Sequence, residues 1–138
     1  MDEAKLNDFL SSHHDAVLST FRSNGDIQLS IVTVGPLENG AAFTTTEERA
    51  KLINLKRNPK CSLLVSTNNW SPYIVLQGEA KIYTFKNTPE HEIASILRKI
   101  YKNASGREHP NWEEYDEAMK ADKRAAVVVL PEKIYGTA

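Results

Sequence analysis

The chain has little of several features that mark common classes of protein. It contains one cysteine, Cys61, so no disulfide can form within the chain. No apolar run approaches the ~20 residues that a membrane-spanning helix needs. The first residues are polar and charged, unlike a signal peptide. We therefore expect a cytoplasmic protein without a membrane partner.

Neither sign of charge is in excess. The sequence has 17 Lys and Arg residues against 18 Asp and Glu residues, which gives a net charge of −1. A dedicated nucleic-acid-binding protein would show a basic excess, so we expect no nucleic-acid partner. Apolar residues make up 41% and charged residues 25% of the 138 residues, which is typical of a globular protein. Residues 1–138 are predicted to form a single domain.

Several well-known functional motifs are also absent. The sequence has no Gly-x-Gly-x-x-Gly, no Walker lysine loop, no Cys-x-x-Cys and no His-Glu-x-x-His. His13 and His14 are adjacent on a predicted helix, so their rings point about 100° apart and cannot share one metal ion. No serine lies in a Gly-x-Ser-x-Gly turn. We expect no metal site, and the sequence identifies no catalytic acid, base or nucleophile.

Hydrophobic periodicity and turn residues predict six strands and four helices. Asn24-Gly25 indicates a hairpin, residues 35–40 a second turn, and Gly78 a bulge inside a long strand. Because the strands come mostly as neighbouring antiparallel pairs, they favour a mainly β fold, a small six-stranded antiparallel barrel with peripheral helices. The predicted strands are 16–21, 27–34, 41–46, 61–67, 73–84 and 125–135, and the predicted helices are 3–13, 47–57, 89–102 and 111–120.

The junction between the third strand and the second helix is rich in groups that bind anions. Three threonines, residues 44–46, are followed closely by Arg49 and Lys51. The first N–H groups of a helix lack internal partners and carry partial positive charge, so the junction could hold a phosphate. The alternative is a capping box, Thr45-x-x-Glu48, that only starts the helix. Both interpretations remain open on this segment alone.

Four sequence segments, found in this order along the chain, resemble those of a known family. They lie at residues 26–32, at 48–60, around Trp70 and 74–80, and at 101–104 with 112–136. Along almost its whole length the chain resembles the pyridoxamine 5'-phosphate oxidase-like FMN-binding split barrels. It is most similar to their small branch, which uses FMN or the deazaflavin coenzyme F420. The chain ends at Tyr135-Gly-Thr-Ala138, without the arginine- and histidine-bearing segment of pyridoxamine phosphate oxidase proper.

The resemblance implies a homodimer with two cofactor sites at the subunit interface. It gives Arg49 and Lys51 the role of phosphate ligands, places strand 27–34 against the cofactor ring, and brings Trp70 and a basic pair, Lys123 and Arg124, near the site. The apolar segment 125–130 and the tryptophan loop also suggest surface hidden by a second copy. The predicted cofactor-binding residues are Gln28, Ser30, Thr44, Thr45, Thr46, Arg49, Lys51, Trp70, Lys123 and Arg124.

The function that the resemblance implies is hydride transfer between coenzyme F420 or FMN and a small organic substrate. In such an oxidoreductase the cofactor supplies the chemistry, and the protein binds and orients it. The alternative is a non-catalytic flavin- or haem-binding carrier or sensor with the same fold, because fold alone does not decide function. F420 ranks slightly ahead of FMN, because Arg49-Ala-Lys51 and the helix of Trp112 resemble the branch that uses F420. The basic residues that could meet its acidic tail are Lys56, Arg57, Lys60, Lys123 and Arg124.

Overall fold

The computed structural model describes all residues, 1–138, and contains four helices and seven strands. Neighbouring strands are all antiparallel and form one curled sheet in the order β2-β1-β5-β6-β7-β4-β3. This mainly β architecture confirms the expected split barrel. The elements are α1 (Glu3–Ser12), β1 (Asp15–Phe21), β2 (Ile27–Thr33), β3 (Gly35–Leu37), β4 (Gly40–Thr46), α2 (Ala50–Arg57), β5 (Lys60–Ser66), β6 (Tyr73–Tyr83), α3 (Glu90–Ser105), α4 (Trp112–Ala121) and β7 (Arg124–Gly136).

The sheet buries apolar side chains on both faces. Leu52 and Leu55 of α2 join the larger core on one face, where α1 also packs. Ile93 and Leu97 of α3 and Tyr115 of α4 join a smaller core on the other face. Residues of β4 and β7 alternate between the two cores, as the two-residue period of a strand requires.

The apolar segment 125–130 is covered by the chain itself. It belongs to β7, a central strand between β6 and β4, and Ala125 to Val129 are fully buried within one chain. The sequence of a strand that is buried on both faces is typically a continuous run of apolar residues. The expectation that a second copy hides this segment is therefore wrong, and any evidence for a partner must come from elsewhere.

The structure differs from the sequence predictions by more than one residue in three places. The predicted turn 35–40 contains a short seventh strand, β3, because Glu38 and Asn39 both take positive φ and close a tight hairpin. The second helix starts at Ala50 and not at residue 47. The third helix runs on to Ser105, where Gly106 ends it in the left-handed conformation. None of the helices combines the length and apolar character needed to cross a membrane.

The bulge predicted at Gly78 is confirmed. The register of β6 against β7 shifts between Gln77 and Gly78, and a Cβ atom at Gly78 would collide with the Leu130 carbonyl oxygen. Since the obstacle is backbone, Gly78→Ala should lower the free energy of unfolding by about 2 kcal/mol. Gln77→Ala, at the exposed neighbouring position, is the control and should change it by less than about 0.5 kcal/mol. Urea denaturation of both variants measures this, and equal midpoints would contradict the clash.

Candidate functional site

The turn before α2 sets the position of the candidate phosphate ligands. The Glu47 N–H donates to the Lys123 carbonyl oxygen at 3.1 Å, which extends the pairing of β4 and β7. The chain then turns, and Arg49 keeps an extended backbone (φ −69°, ψ 141°) as the N-cap of α2. The alternative interpretation of this segment, a capping box at Thr45 and Glu48, is therefore wrong, because both residues lie before the N-cap of the helix. Instead, the carboxylate of Glu48 has a lowered pKa chiefly through a hydrogen bond from its own backbone N–H.

Residues from six elements of the fold line one open cleft beside this turn. The cleft has a volume of about 510 Å³. Strand β2, the end of β4, the last turns of α3 and the starts of α2 and β7 contribute most of the wall. Because Arg49, Lys51 and Arg124 all line it, we call it the cation cleft. The other lining residues are Ile31, Val32, Thr33, Thr44, Thr45, Ile100, Tyr101, Ala104, Ser105 and Tyr115.

The three cations of the cleft have no acidic partner. The five ion pairs of the chain involve other residues. The buried Nε of Arg124 has no hydrogen-bond partner at all. Burial lowers the pKa of Lys51, and the nearby charges of Arg49 and Arg124 lower it further. Glu48 lies close enough to Arg49 for that cation to help lower its pKa, but it forms no ion pair with any of the three cations. Three cations against one exposed carboxylate leave an excess of positive charge that an anionic ligand would neutralise.

The neutral side chains of the cleft offer no general acid or base for use near pH 7. The Tyr115 hydroxyl donates to the Leu97 carbonyl oxygen at 3.0 Å. Burial raises the pKa of Tyr115 to about 12. No histidine or carboxylate lines the cation cleft, and no three His, Cys, Asp or Glu side chains in the chain are grouped to hold a metal ion. The cleft can bind an anion and a flat apolar group, but it presents no metal chemistry of its own.

The structure brings half of the sequence-predicted site residues together. Five line the cation cleft, namely Thr44, Thr45, Arg49, Lys51 and Arg124. Thr46 does not line it. Its buried hydroxyl makes no hydrogen bond of good geometry, although it lies close enough to the Glu48 carboxylate to help lower the pKa of that group. Thr46 pairs with Arg124 across β4 and β7, which explains how residues 78 positions apart meet.

The other four predicted residues do not line the cation cleft of a single chain. The Gln28 Oε1 accepts a hydrogen bond from Asn54 Nδ2 at 2.9 Å, and Ser30 is half-buried on the same face of β2. Lys123 is exposed, and Trp70 is 66% exposed in the loop after β5. Their roles in binding stay predictions, since a cofactor or a second chain could still reach them.

Two tyrosines of the cleft were missed by sequence reasoning. Tyr101 and Tyr115 lie in phrases that carried the family resemblance, but aromatic residues at helical spacing are typical of an ordinary core. Ala104 and Ser105 were missed because the sequence predicted a loop from residue 103. The Ser-Gly at 105–106 was the signal that could have placed the helix end correctly.

Known structures share this fold. A conserved hypothetical protein of Mycobacterium tuberculosis, Rv2991, has a TM-score of 0.79 at 20% identity, with 97% of this chain and 82% of that chain covered. An F420 reductase has a TM-score of 0.65 at 24% identity, with 94% of each chain covered. A heme binding protein from Mycobacterium smegmatis has a TM-score of 0.65 at 18% identity, with 97% of this chain but only 53% of that chain covered.

At these identities the structural likeness establishes the fold and no activity. The sequence itself is more informative, because the profile of the pyridoxamine 5'-phosphate oxidase family matches residues 2–138. The match spans every strand of the sheet and every residue of the cation cleft. The chain therefore belongs to the pyridoxamine 5'-phosphate oxidase family.

Proposed function

We propose that the protein is an oxidoreductase that binds FMN or coenzyme F420 and transfers hydride to or from a small organic substrate. The observation that carries the proposal is the set of three unpaired cations, Arg49, Lys51 and Arg124, in one cleft. Both cofactors carry a phosphate, and charge-assisted hydrogen bonds from guanidinium and ammonium groups are the usual way to hold one. A bound flavin or deazaflavin supplies the hydride chemistry.

The side chains of this chain then have defined tasks. Arg49, Lys51 and Arg124 hold the phosphate, and the hydroxyls of Thr44 and Thr45 donate to its remaining oxygens. Because no histidine or carboxylate lines the cleft, the proton that would accompany hydride transfer would be exchanged with water. The protein thus acts by binding and orienting, and we assign no catalytic residue.

A second copy of the chain is the proposed partner. Strand β2 is a sheet edge, and its Ile27, Leu29 and Ile31 side chains are 59%, 67% and 85% exposed. Such an apolar stripe on an unpaired edge is costly in water and invites pairing. Ile31 also lines the cation cleft. A homodimer that covers the stripe would close the cleft, so the cofactor site would lie at the interface.

The choice between FMN and F420 depends on the acidic tail of F420. Of the basic groups expected to meet that tail, Arg124 lines the cleft. Arg57 is engaged at the far end of α2, where its Nη2 donates to Asn54 Oδ1 at 2.8 Å and to the Phe21 carbonyl at 3.0 Å. Comparing dissociation constants for FMN, F420 and tail-less deazaflavin decides between them. Affinity that rises with tail length supports F420, and equal affinity for both deazaflavins with tighter FMN binding supports FMN.

A reoxidation experiment tests the enzyme against the non-catalytic alternative. Purified protein is loaded with reduced FMN or reduced F420 without oxygen, and candidate quinone, enone and imine acceptors are added in turn. We expect at least one acceptor to reoxidise the bound cofactor at least tenfold faster than the free cofactor. A stable complex that reacts with every acceptor no faster than free cofactor would favour a carrier or sensor.

A further inference from the structure

A second pocket adjoins the cation cleft on the side of α4. Its volume is about 390 Å³, and its walls are largely apolar. Thr44, Tyr101, Tyr115 and Arg124 line both spaces, so these residues form the boundary between them. The second pocket, which we call the aromatic pocket, is completed by His109, Glu114, Ala118 and Met119.

The rings that border the aromatic pocket leave room for a further planar ring. The Tyr101 and Tyr115 rings meet at 65° with their centroids 5.3 Å apart, and His109 lies 5.3 Å from Tyr101 and 5.2 Å from Tyr115. Trp112 packs against all three rings but does not line the pocket, so the pocket lies on a side of these rings that Trp112 leaves open. A further ring there could pair with them in an offset-stacked or edge-to-face geometry. The side chains of Ala118 and Met119 add apolar surface on α4. The pocket therefore suits a flat heteroaromatic group of modest size.

The polar residues that line the aromatic pocket but not the cation cleft are His109 and Glu114, which offer a donor and an acceptor. The His109 Nδ1 accepts the Asn111 backbone N–H at 3.0 Å, so a neutral His109 ring carries its proton on Nε2 and can donate it. Glu114 is exposed and takes part in none of the ion pairs, so its carboxylate is free to accept from hydroxyl groups. His109 can thus donate to a ring nitrogen of a ligand, and Glu114 can accept from the hydroxyl groups of a sugar.

The acidic residues of α4 argue against an acidic ligand in the aromatic pocket. Helix α4 carries Glu113, Glu114, Asp116 and Glu117, and of these only Asp116 is paired, with Arg98. A glutamyl tail would meet like charge along this helix. The single cation of the pocket, Arg124, is at the boundary with the cation cleft, where its buried Nε still lacks a partner. An anion is thus favoured at the boundary and disfavoured deeper in the pocket.

We propose that the two spaces together bind a nucleoside phosphate, with its phosphate at Arg124 and its base and ribose in the aromatic pocket. The phosphate position rests on the proposed function of the cation cleft. The ligand is either a free nucleotide or the adenosine monophosphate half of a flavin dinucleotide, since both present the same base, ribose and phosphate.

Calorimetric titration with 5'-AMP and ribose 5-phosphate measures what the base contributes. We expect 5'-AMP to bind at least tenfold more tightly, because stacking of a base on aromatic side chains strengthens binding by about that factor or more. Ala118→Leu should fill the pocket, weaken both ligands and abolish the difference between them, with at most a twofold effect on the binding of inorganic phosphate, which lies at Arg124 outside the filled space. The control is Ala121→Leu, at an exposed position of the same helix outside the pocket. Equal affinity of the unsubstituted protein for both ligands would overturn the proposal.

Two further titrations separate the remaining outcomes. Tighter binding of FAD than of FMN, by tenfold or more, identifies a dinucleotide, and equal binding identifies a free nucleotide. If Ala118→Leu weakens FMN as much as 5'-AMP, the flavin ring occupies the pocket and the nucleoside proposal is wrong. If 5'-AMP binds as expected but neither FMN nor F420 binds, the proposed oxidoreductase function fails while this inference stands.

Discussion

Removal of either cation at the start of α2 should weaken cofactor binding about tenfold or more. Arg49 and Lys51 each face the cation cleft without an acidic partner. A charge-assisted hydrogen bond contributes roughly 1.5–3 kcal/mol, so Arg49→Ala or Lys51→Ala should raise the dissociation constant of FMN or F420 by that tenfold factor, and the double variant by about a hundredfold. Calorimetric titration measures these constants.

The fold should tolerate these same substitutions. The charges of Arg49 and Arg124 act on Lys51 repulsively, as the lowered pKa of Lys51 indicates. Removing Arg49 or Lys51 leaves no buried acid without a partner. The midpoint temperature of thermal unfolding should therefore be unchanged or slightly higher in each variant. Lys56→Ala, titrated with FMN, is the matched control, because Lys56 is an exposed cation of the same helix that does not line the cleft and FMN lacks the acidic tail that Lys56 was expected to meet. Equal loss of affinity in this control would mean that general charge, and not the cleft, attracts the cofactor.

A charge placed in the apolar stripe of β2 should separate the proposed dimer into monomers. Leu29 is 67% exposed in one chain and does not line the cation cleft. In a dimer that buries the stripe, Leu29→Asp would place an unpaired carboxylate in each half of the interface. Such a charge costs about 3 kcal/mol or more, which corresponds to at least a hundredfold rise in the dimer dissociation constant. Light scattering at micromolar concentration should give a dimer mass for the unsubstituted protein and a monomer mass for the variant.

The same variant tests whether the cleft needs the second copy. If the partner closes the cleft, monomeric Leu29→Asp should also lose most of its cofactor affinity although Arg49, Lys51 and Arg124 are intact. Ile53→Asp is the control, since Ile53 is 49% exposed on α2 and lies outside the stripe. A monomer that binds cofactor as tightly as the unsubstituted protein would overturn the interface-site proposal.

The sequence predicted local structure well wherever local chemistry decides it. The turn at Asn24-Gly25, the strand limits around it and the bulge at Gly78 all follow from residues within a few positions. The start of α2 was missed because a long-range contact decides it. The hydrogen bond from Glu47 to Lys123 continues the pairing of β4 with β7 beyond Thr45, so Thr45 belongs to the strand, and the chain turns at residues 47–49 before α2 starts at Ala50.

In the candidate site, too, the residues that are close in sequence were predicted and those brought together by long-range contacts were harder to predict. Thr44, Arg49 and Lys51 are close in sequence, so the junction could be recognised as an anion site from its residues alone. Arg124 joins them through the pairing of β4 with β7, and only the family resemblance indicated it. The aromatic pocket could not be predicted, because the ends of α3 and α4 meet through tertiary packing of Tyr101 and Tyr115.

The central claim is that Arg49, Lys51 and Arg124 hold the phosphate of the cofactor. The most direct measurement is a crystal structure of the protein grown with FMN or with F420. The account predicts that phosphate oxygens lie within hydrogen-bond distance, about 2.7–3.2 Å, of nitrogen atoms from these three side chains. A cofactor whose phosphate is bound elsewhere, with the three cations still facing solvent, would contradict it.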